Sequence, residues 1–142
     1  MEPKRQKHEM RLKSDPRDWL ERAQRDVDLA KIGKGRAKYR ECVLLCQRGV
    51  EKALTAFLMG RGLAFGLTHD LGLLFRTAQE DAIDLQRFAA DVAWLGAYQP
   101  VMPSVDLKPP EQLPAASALD LDRALMVAEP LVAWARAQLD AR

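Results

Sequence analysis

The sequence predicts an all-α protein, an up-and-down four-helix bundle with one additional short helix and a long proline-rich loop before the last helix. Several stretches place apolar side chains at three- and four-residue steps, the spacing that puts them on one face of a helix. No stretch alternates apolar and polar residues in the way that a half-buried strand does. Five prolines between residues 99 and 116 exclude a helix or a central strand there, so a loop should separate the last helix from the others.

The first two helices are predicted at residues 15–31 and 36–59. The segment Ser14-Asp15-Pro16 offers a capping side chain and a proline at the first helical position. Gly33 and Gly35 should end the first helix. The second helix would be roughly 36 Å long at 1.5 Å per residue, enough to run the height of a bundle.

The third and fourth helices are predicted from a capping residue at the start of each. The third should begin at Thr68 or His69 and end near Gln79. The fourth should be capped by Asp81 and end near Ala97. Each carries its own apolar stripe, which should point inward.

The last helix should follow the proline-rich loop predicted at residues 99–116. Ser117 can cap it, and Asp120 and Asp122 are acids in its first turns that favour the positive end of the helix dipole. Pro130 should kink this helix. Residues 1–13 are polar and lack periodicity, which indicates a disordered basic arm before a helical domain at residues 14–142.

Charge is distributed unevenly along the 142 residues, although the net charge is only +2. Residues 1–40 contain thirteen Lys and Arg against seven Asp and Glu, whereas the remainder contains nine against thirteen. Such a basic region would attract phosphate chains or an acidic partner surface, and a solvated loop and helix start is the alternative. The cations where basic residues are densest are Lys31, Lys34, Arg36, Lys38 and Arg40.

Several classes of protein are disfavoured. No apolar run approaches the roughly 20 residues that a membrane span needs. The N-terminal MEPKRQKHEM lacks the apolar core of a signal peptide, so we expect a cytoplasmic protein with no membrane association. Cys42 and Cys46 lie four residues apart on a predicted helix, which suits buried thiols better than a disulfide or a metal site. We therefore expect no metal and no cofactor.

Polar residues interrupt the apolar stripe of the second helix. Arg48 and Lys52 are four residues apart and share a face, as do Gln47 and Glu51. Two like charges on one face are mildly destabilising unless an anion or an acidic side chain answers them. The pattern indicates either a nucleotide or phosphate contact or a solvated face.

This arrangement resembles the HEPN family of helical domains. The residues that carry the resemblance are Gln47, Val50-Glu51-Lys52-Ala53-Leu54, Arg61-Gly62 and Thr68-His69-Asp70-Leu71, supported by Trp19, Ala23, Asp28, Leu29 and Tyr98. It covers residues 15–140, although only residues 47–71 are specific. The resemblance implies a homodimer that binds a nucleotide or RNA, or a separate minimal nucleotidyltransferase, in a toxin–antitoxin type of pair. The expected ligand-binding groove is lined by Arg48, Glu51, Lys52, His69 and Tyr98.

Catalytic members of the family cleave RNA with an Arg and a later His that are separated by four to six intervening residues. For His69 those positions hold Gly62, Leu63 and Ala64, and no Arg precedes His8 at this spacing. The missing motif favours a non-catalytic binding module. A metal-independent ribonuclease with a degenerate site, using His69 as its base, is one alternative. A purely structural dimeric bundle is another.

Overall fold

The computed structural model describes residues 15–63, 68–98 and 116–141, and within these ranges the protein is helical and has no strand. The all-α fold class is therefore confirmed. The arm predicted at residues 1–13 and nearly all of the loop predicted at residues 99–116 lie outside the described residues. None of the described helices is long and apolar enough to cross a membrane. The elements are α1 (Pro16–Lys34), α2 (Tyr39–Gly60), α3 (Leu71–Asp81), a 3₁₀ helix (Ile83–Phe88), α4 (Ala89–Ala97) and α5 (Ala118–Asp140).

Helix α2 lies at the centre and contacts each of the other four α-helices. Ion pairs between Arg17 and Asp140 and between Lys31 and Glu129, at 2.9 and 3.0 Å, show that α1 and α5 are antiparallel. Helices α1 and α2 are also antiparallel, so α2 and α5 run in the same direction. The up-and-down four-helix arrangement stays a prediction, since α4 has only nine residues.

The predicted helix starts are partly correct. The Asp15 carboxylate accepts a hydrogen bond from the Arg17 backbone N–H at 2.9 Å, as a cap should. The predicted start of the third helix at Thr68 or His69 is wrong, because α3 begins at Leu71. Asp70 is the cap, and its carboxylate accepts from the Leu73 N–H at 3.1 Å. Thr68 instead accepts from the Asp70 N–H and shapes the preceding turn.

The predicted cap of the fourth helix is also wrong. Asp81 is the last residue of α3, and its carboxylate pairs with Arg61 at 3.2 Å. The chain then passes through the extended Ala82 into the 3₁₀ helix before α4 begins. The end of α4 at Ala97 is confirmed.

The cap of the last helix is confirmed. Ser117 and Asp120 exchange hydrogen bonds in a capping box, with donor–acceptor distances of 3.2 and 3.1 Å. Helix α5 continues through Pro130, and the kink expected there stays a prediction.

Glycine is required where α2 ends. Gly62 has a φ of +66°, and its N–H donates to the Met59 carbonyl at 3.0 Å. The Leu63 N–H donates to the Leu58 carbonyl at the same distance, which completes a Schellman motif. The Arg61 guanidinium donates to Gln138 at 2.9 Å, so this turn is held against α5.

Helices α1 and α2 approach each other closely at two glycines. A Cβ atom at Gly33 would overlap the sulfur of Cys42, and one at Gly49 would lie 3.1 Å from a methyl group of Val27. The thiols of Cys42 and Cys46 are free and buried, as predicted. Burial raises the pKa of Cys46 to about 12, so this thiol stays protonated at neutral pH.

Replacement of Gly33 by alanine should destabilise the protein. Because the new methyl group collides with the Cys42 sulfur, the two helices must separate, at a cost of roughly 1–3 kcal/mol. Gly35→Ala is the matched control, since a Cβ there would lie 3.7 Å from its nearest neighbour. We expect that variant to be neutral or up to about 1 kcal/mol more stable. Chemical denaturation followed by circular dichroism would measure both, and equal stabilities would contradict the close approach.

Candidate functional site

From residue 48 to its end, α2 has three charged residues that stay at least partly uncovered by the neighbouring helices, and we call them the α2 strip: Arg48, Glu51 and Lys52. Arg48 is exposed, and the other two residues are half-buried. Helices α1 and α5 make the most extensive contacts with α2, and α3 and α4 also pack against it. The side chains and glycines of α2 that are buried by these contacts are Cys42, Val43, Cys46, Gly49, Val50, Ala53, Leu54, Thr55, Ala56, Phe57, Leu58 and Gly60.

Two of the predicted site residues, Glu51 and His69, meet directly. The Nδ1 atom of His69 lies 3.5 Å from Oε2 of Glu51. The Glu51 side chain is only 14% exposed, whereas the imidazole is 99% exposed. Burial raises the pKa of Glu51, and the contact with His69 opposes that rise. The pair therefore joins the chain before α3 to α2 and leaves most of the imidazole in solvent.

Lys52 faces α1 instead of the solvent. Its ammonium group lies 2.7 Å from a carboxylate oxygen of Asp26, which is 9% exposed. Sequence reasoning missed Asp26. The sequence does indicate that Asp26 is buried, because it follows Ala23 by three residues and precedes Ala30 by four, which places it on the buried face of α1.

Tyr98 is connected to α2 through the side-chain amide of Gln47. This amide donates to the backbone carbonyls of Leu95 and Tyr98, both at 2.9 Å. The Tyr98 ring lies 5.9 Å from the ring of Trp94, and burial raises the pKa of its phenol. Because Gln47 is one turn before Glu51, it positions the end of α4 beside the α2 strip.

The basic segment predicted to attract anions is partly neutralised. Lys31 pairs with Glu129 at 3.0 Å, and Lys34 pairs with Asp122, so both cations are held against α5. In the part of the chain that the structure describes, the exposed Arg36 and Lys38 form no ion pair. The charge of Arg40 lies near enough to Tyr98 to lower its pKa, against the larger effect of burial.

Arg48 is the exposed cation of the α2 strip. Among the described residues it has no carboxylate within ion-pair distance, although its charge favours ionised Glu51. No group of three or more His, Cys, Asp or Glu side chains in these ranges is arranged to hold a metal ion. The strip can therefore offer a guanidinium and a carboxylate–imidazole pair to a ligand.

Removal of one partner of the Asp26–Lys52 pair should cost more than removal of both. Lys52→Met leaves the Asp26 carboxylate buried without a cation, so the free energy of unfolding should fall by about 3 kcal/mol. The double variant Asp26→Leu/Lys52→Met should recover most of this loss. A double-mutant cycle by urea denaturation would measure the coupling. Additive effects would contradict a coupled pair.

Comparison with known proteins agrees with the fold. A family model described as the HEPN domain matches residues 16–138. None of the curated proteins is detectably similar to the chain. The structure is similar to that of TT1696 from Thermus thermophilus, with a TM-score of 0.70 and 25% identity over 87% of this chain and 98% of that one. It is also similar to that of ST0689, an archaeal HEPN homologue, with a TM-score of 0.68 and 21% identity over 89% and 98% of the two chains. The family match covers most of the chain, which therefore belongs to the HEPN family.

Proposed function

We propose that this protein is a non-catalytic HEPN module that acts as a homodimer and binds the phosphate of a nucleotide or RNA at the α2 strip. The observation that supports this proposal is the exposed guanidinium of Arg48, which forms no ion pair with a carboxylate of the described residues. The ammonium group of Lys52 is paired with the carboxylate of Asp26, so Lys52 would hold α1 against α2 beneath the site and would not contact the ligand itself. A guanidinium is well suited to phosphate because its planar fork can donate two parallel hydrogen bonds.

Two side chains near Arg48 could contact the part of the ligand that lies beyond the phosphate. His69 presents an exposed ring held by Glu51, and Tyr98 lies at the end of α4 behind Gln47. Arg36 and Lys38 would add long-range attraction for a phosphate chain, an effect that salt screens. We therefore expect binding that weakens as ionic strength rises.

A protein partner is the second part of this proposal. The family resemblance implies a separate minimal nucleotidyltransferase, in a toxin–antitoxin type of pair. A carboxylate on an acidic surface of that partner could pair with the Arg48 guanidinium in the same way as a phosphate. Competition between the partner and a nucleotide would then follow from their shared site.

Replacement of Arg48 should weaken nucleotide binding. Hydrogen bonds to a charged group contribute about 1.5–3 kcal/mol, so Arg48→Ala should raise the dissociation constant at least tenfold. Arg25→Ala removes an exposed arginine of α1 and is the matched control. Calorimetry with nucleotides and a short RNA, in low and moderate salt, would measure the effect. Absence of heat from every ligand, or the same loss in both variants, would contradict the proposal.

The contact between Glu51 and His69 supports a second candidate, a metal-independent ribonuclease with a degenerate Arg/His site. A carboxylate at Nδ1 of His69 orients the ring and leaves Nε2 to accept a proton from a ribose 2′-hydroxyl. Arg48 would then stabilise the charge on the phosphate.

Cleavage of an RNA oligonucleotide by the purified chain would test this candidate. His69→Ala should abolish the activity because the base is lost, and Glu51→Gln should lower it because the ring is no longer oriented by a charge. Arg25→Ala should leave the rate unchanged. Activity that survives His69→Ala would argue against His69 as the base.

A further inference from the structure

Helix α1 carries two exposed apolar side chains on its outward side, between two arginines. Leu29 is 46% exposed and Ile32 is 61% exposed. Arg25 lies four residues before Leu29, and Arg36 lies four residues after Ile32, in the turn that follows the helix. Steps of three and four residues place side chains on one side of a helix, and we call these four residues the α1 stripe. This spacing suits contact with a second helix.

The α1 stripe points away from the rest of the fold. Toward α5, Lys31 pairs with Glu129 at 3.0 Å, and toward α2, Asp26 pairs with Lys52 at 2.7 Å. The stripe lies between these two contacts, opposite the buried side of α1, so no described helix covers it. The buried side of α1 is formed by Leu20, Ala23, Asp26, Val27 and Ala30.

The arginines at the two ends of the stripe have no carboxylate partner among the described residues. Arg25 and Arg36 are both exposed, and neither lies within ion-pair distance of an acidic side chain in these ranges. Asp28, the acid nearest to the stripe in sequence, accepts a hydrogen bond from the side-chain amide of Gln24 at 3.0 Å. The stripe therefore has an apolar centre and an unpaired positive charge at each end.

We propose that the α1 stripe is the docking site for an amphipathic helix of a partner protein, with apolar side chains at the centre of that helix and carboxylates toward both ends. Leu29 and Ile32 would be covered by the apolar residues, and Arg25 and Arg36 would pair with the carboxylates. The stripe extends roughly 17 Å at 1.5 Å per residue, which about three turns of a partner helix would match. This inference goes beyond the phosphate site, since the stripe shares no residue with the α2 strip.

The charges of the stripe disfavour a second copy of this chain as the occupant. If two copies paired in parallel through the stripe, each arginine would face its own counterpart. If they paired antiparallel, Arg25 of each copy would face Arg36 of the other. Either arrangement brings like charges together around a small apolar contact, which costs more than it contributes.

An anionic membrane matches this face less well than a partner helix does. Membrane-surface helices carry Lys and Arg on their polar side, and their attraction to anionic lipid depends on those charges. The exposed residues of α1 include Asp18, Glu21 and Asp28, which an anionic bilayer would repel. A partner helix has its charges at fixed positions, so it can set carboxylates against the arginines and leave these acids in solvent.

Selection from a library of random peptides displayed on phage tests the proposal with the full chain. Peptides that bind the wild type, and not the variant Leu29→Ser/Ile32→Ser, should carry apolar residues between Asp or Glu residues. For one such peptide, followed by fluorescence anisotropy, this double substitution should raise the Kd at least tenfold because both apolar contacts are lost. Leu73→Ser/Ile83→Ser is the matched control and should leave the Kd unchanged, since these side chains are 43% and 88% exposed on other helices.

Charge reversal tests the ends of the stripe. Arg25→Glu/Arg36→Glu should raise the Kd of the same peptide at least tenfold, and added salt should weaken binding by the wild type. A peptide with Lys in place of each Asp and Glu should bind this variant more tightly than it binds the wild type. Misfolding would not produce such a rescue, and circular dichroism would confirm that each variant is folded.

Three results would overturn the proposal. The first is a library that yields no peptide dependent on Leu29 and Ile32, or yields peptides rich in Lys and Arg. The second is binding to phosphatidylserine vesicles that Leu29→Ser/Ile32→Ser abolishes, which would assign the stripe to a membrane. The third is a dimer in sedimentation equilibrium that the same variant dissociates, which would assign the stripe to a second copy.

Nucleotide binding by Leu29→Ser/Ile32→Ser separates this proposal from the phosphate site. The variant should bind nucleotides as the wild type does, because Arg48 is unchanged. Loss of peptide binding with intact nucleotide binding supports the α1 stripe whatever the nature of the α2 strip. Peptide selection that fails while Arg48→Ala still weakens nucleotide binding refutes only the α1 stripe.

Discussion

The close approach of α1 and α2 determines where polar side chains can lie on this protein. Gly33 and Gly49 allow the two helices to meet without an intervening Cβ atom, and this contact covers one side of α2. Helices α3, α4 and α5 cover most of the remainder. Because so little of α2 from residue 48 onward faces solvent, the charged residues there, Arg48, Glu51 and Lys52, are confined to one strip. The same close contact buries the carboxylate of Asp26, which then requires the ammonium group of Lys52 nearby.

Local sequence patterns predict most of the fold because they act over only a few residues. The caps at Asp15 and Ser117 and the buried cysteines follow from helix periodicity and capping chemistry. The predicted start of α3 is wrong because Thr68 and Asp70 can both cap a helix, and aspartate is the stronger cap. The 3₁₀ helix could not be predicted in this way. It is held by a long-range hydrogen bond of 2.7 Å from the Trp134 indole to Asp84, which local sequence does not reveal.

The candidate site was predictable only in part, because side-chain partners come from different helices. Helical spacing places Arg48 and Lys52 on one face and indicates that some negative group must answer them. Helical spacing does not show that Asp26 pairs with Lys52, nor that Arg48 has no carboxylate partner among the described residues. The contact of Glu51 with His69 likewise depends on the turn that leads into α3. The residue types indicated that a cation could contact an anionic ligand, but tertiary packing determines that this cation is Arg48 and not Lys52.

The two unusual surfaces have different physical origins. Lys52 and Glu51 are polar groups whose charges are answered within the fold, so the α2 strip presents a single exposed guanidinium, Arg48, to solvent. The outward side of α5 has the opposite character, since Glu129 and Arg123 are paired there and the exposed side chains include the apolar Leu119 and Met126. Burial of apolar area stabilises association without directional requirements, whereas an exposed guanidinium selects for a phosphate or a carboxylate. The exposed guanidinium and the exposed apolar side chains of α5 therefore differ in the kind of contact that each can make.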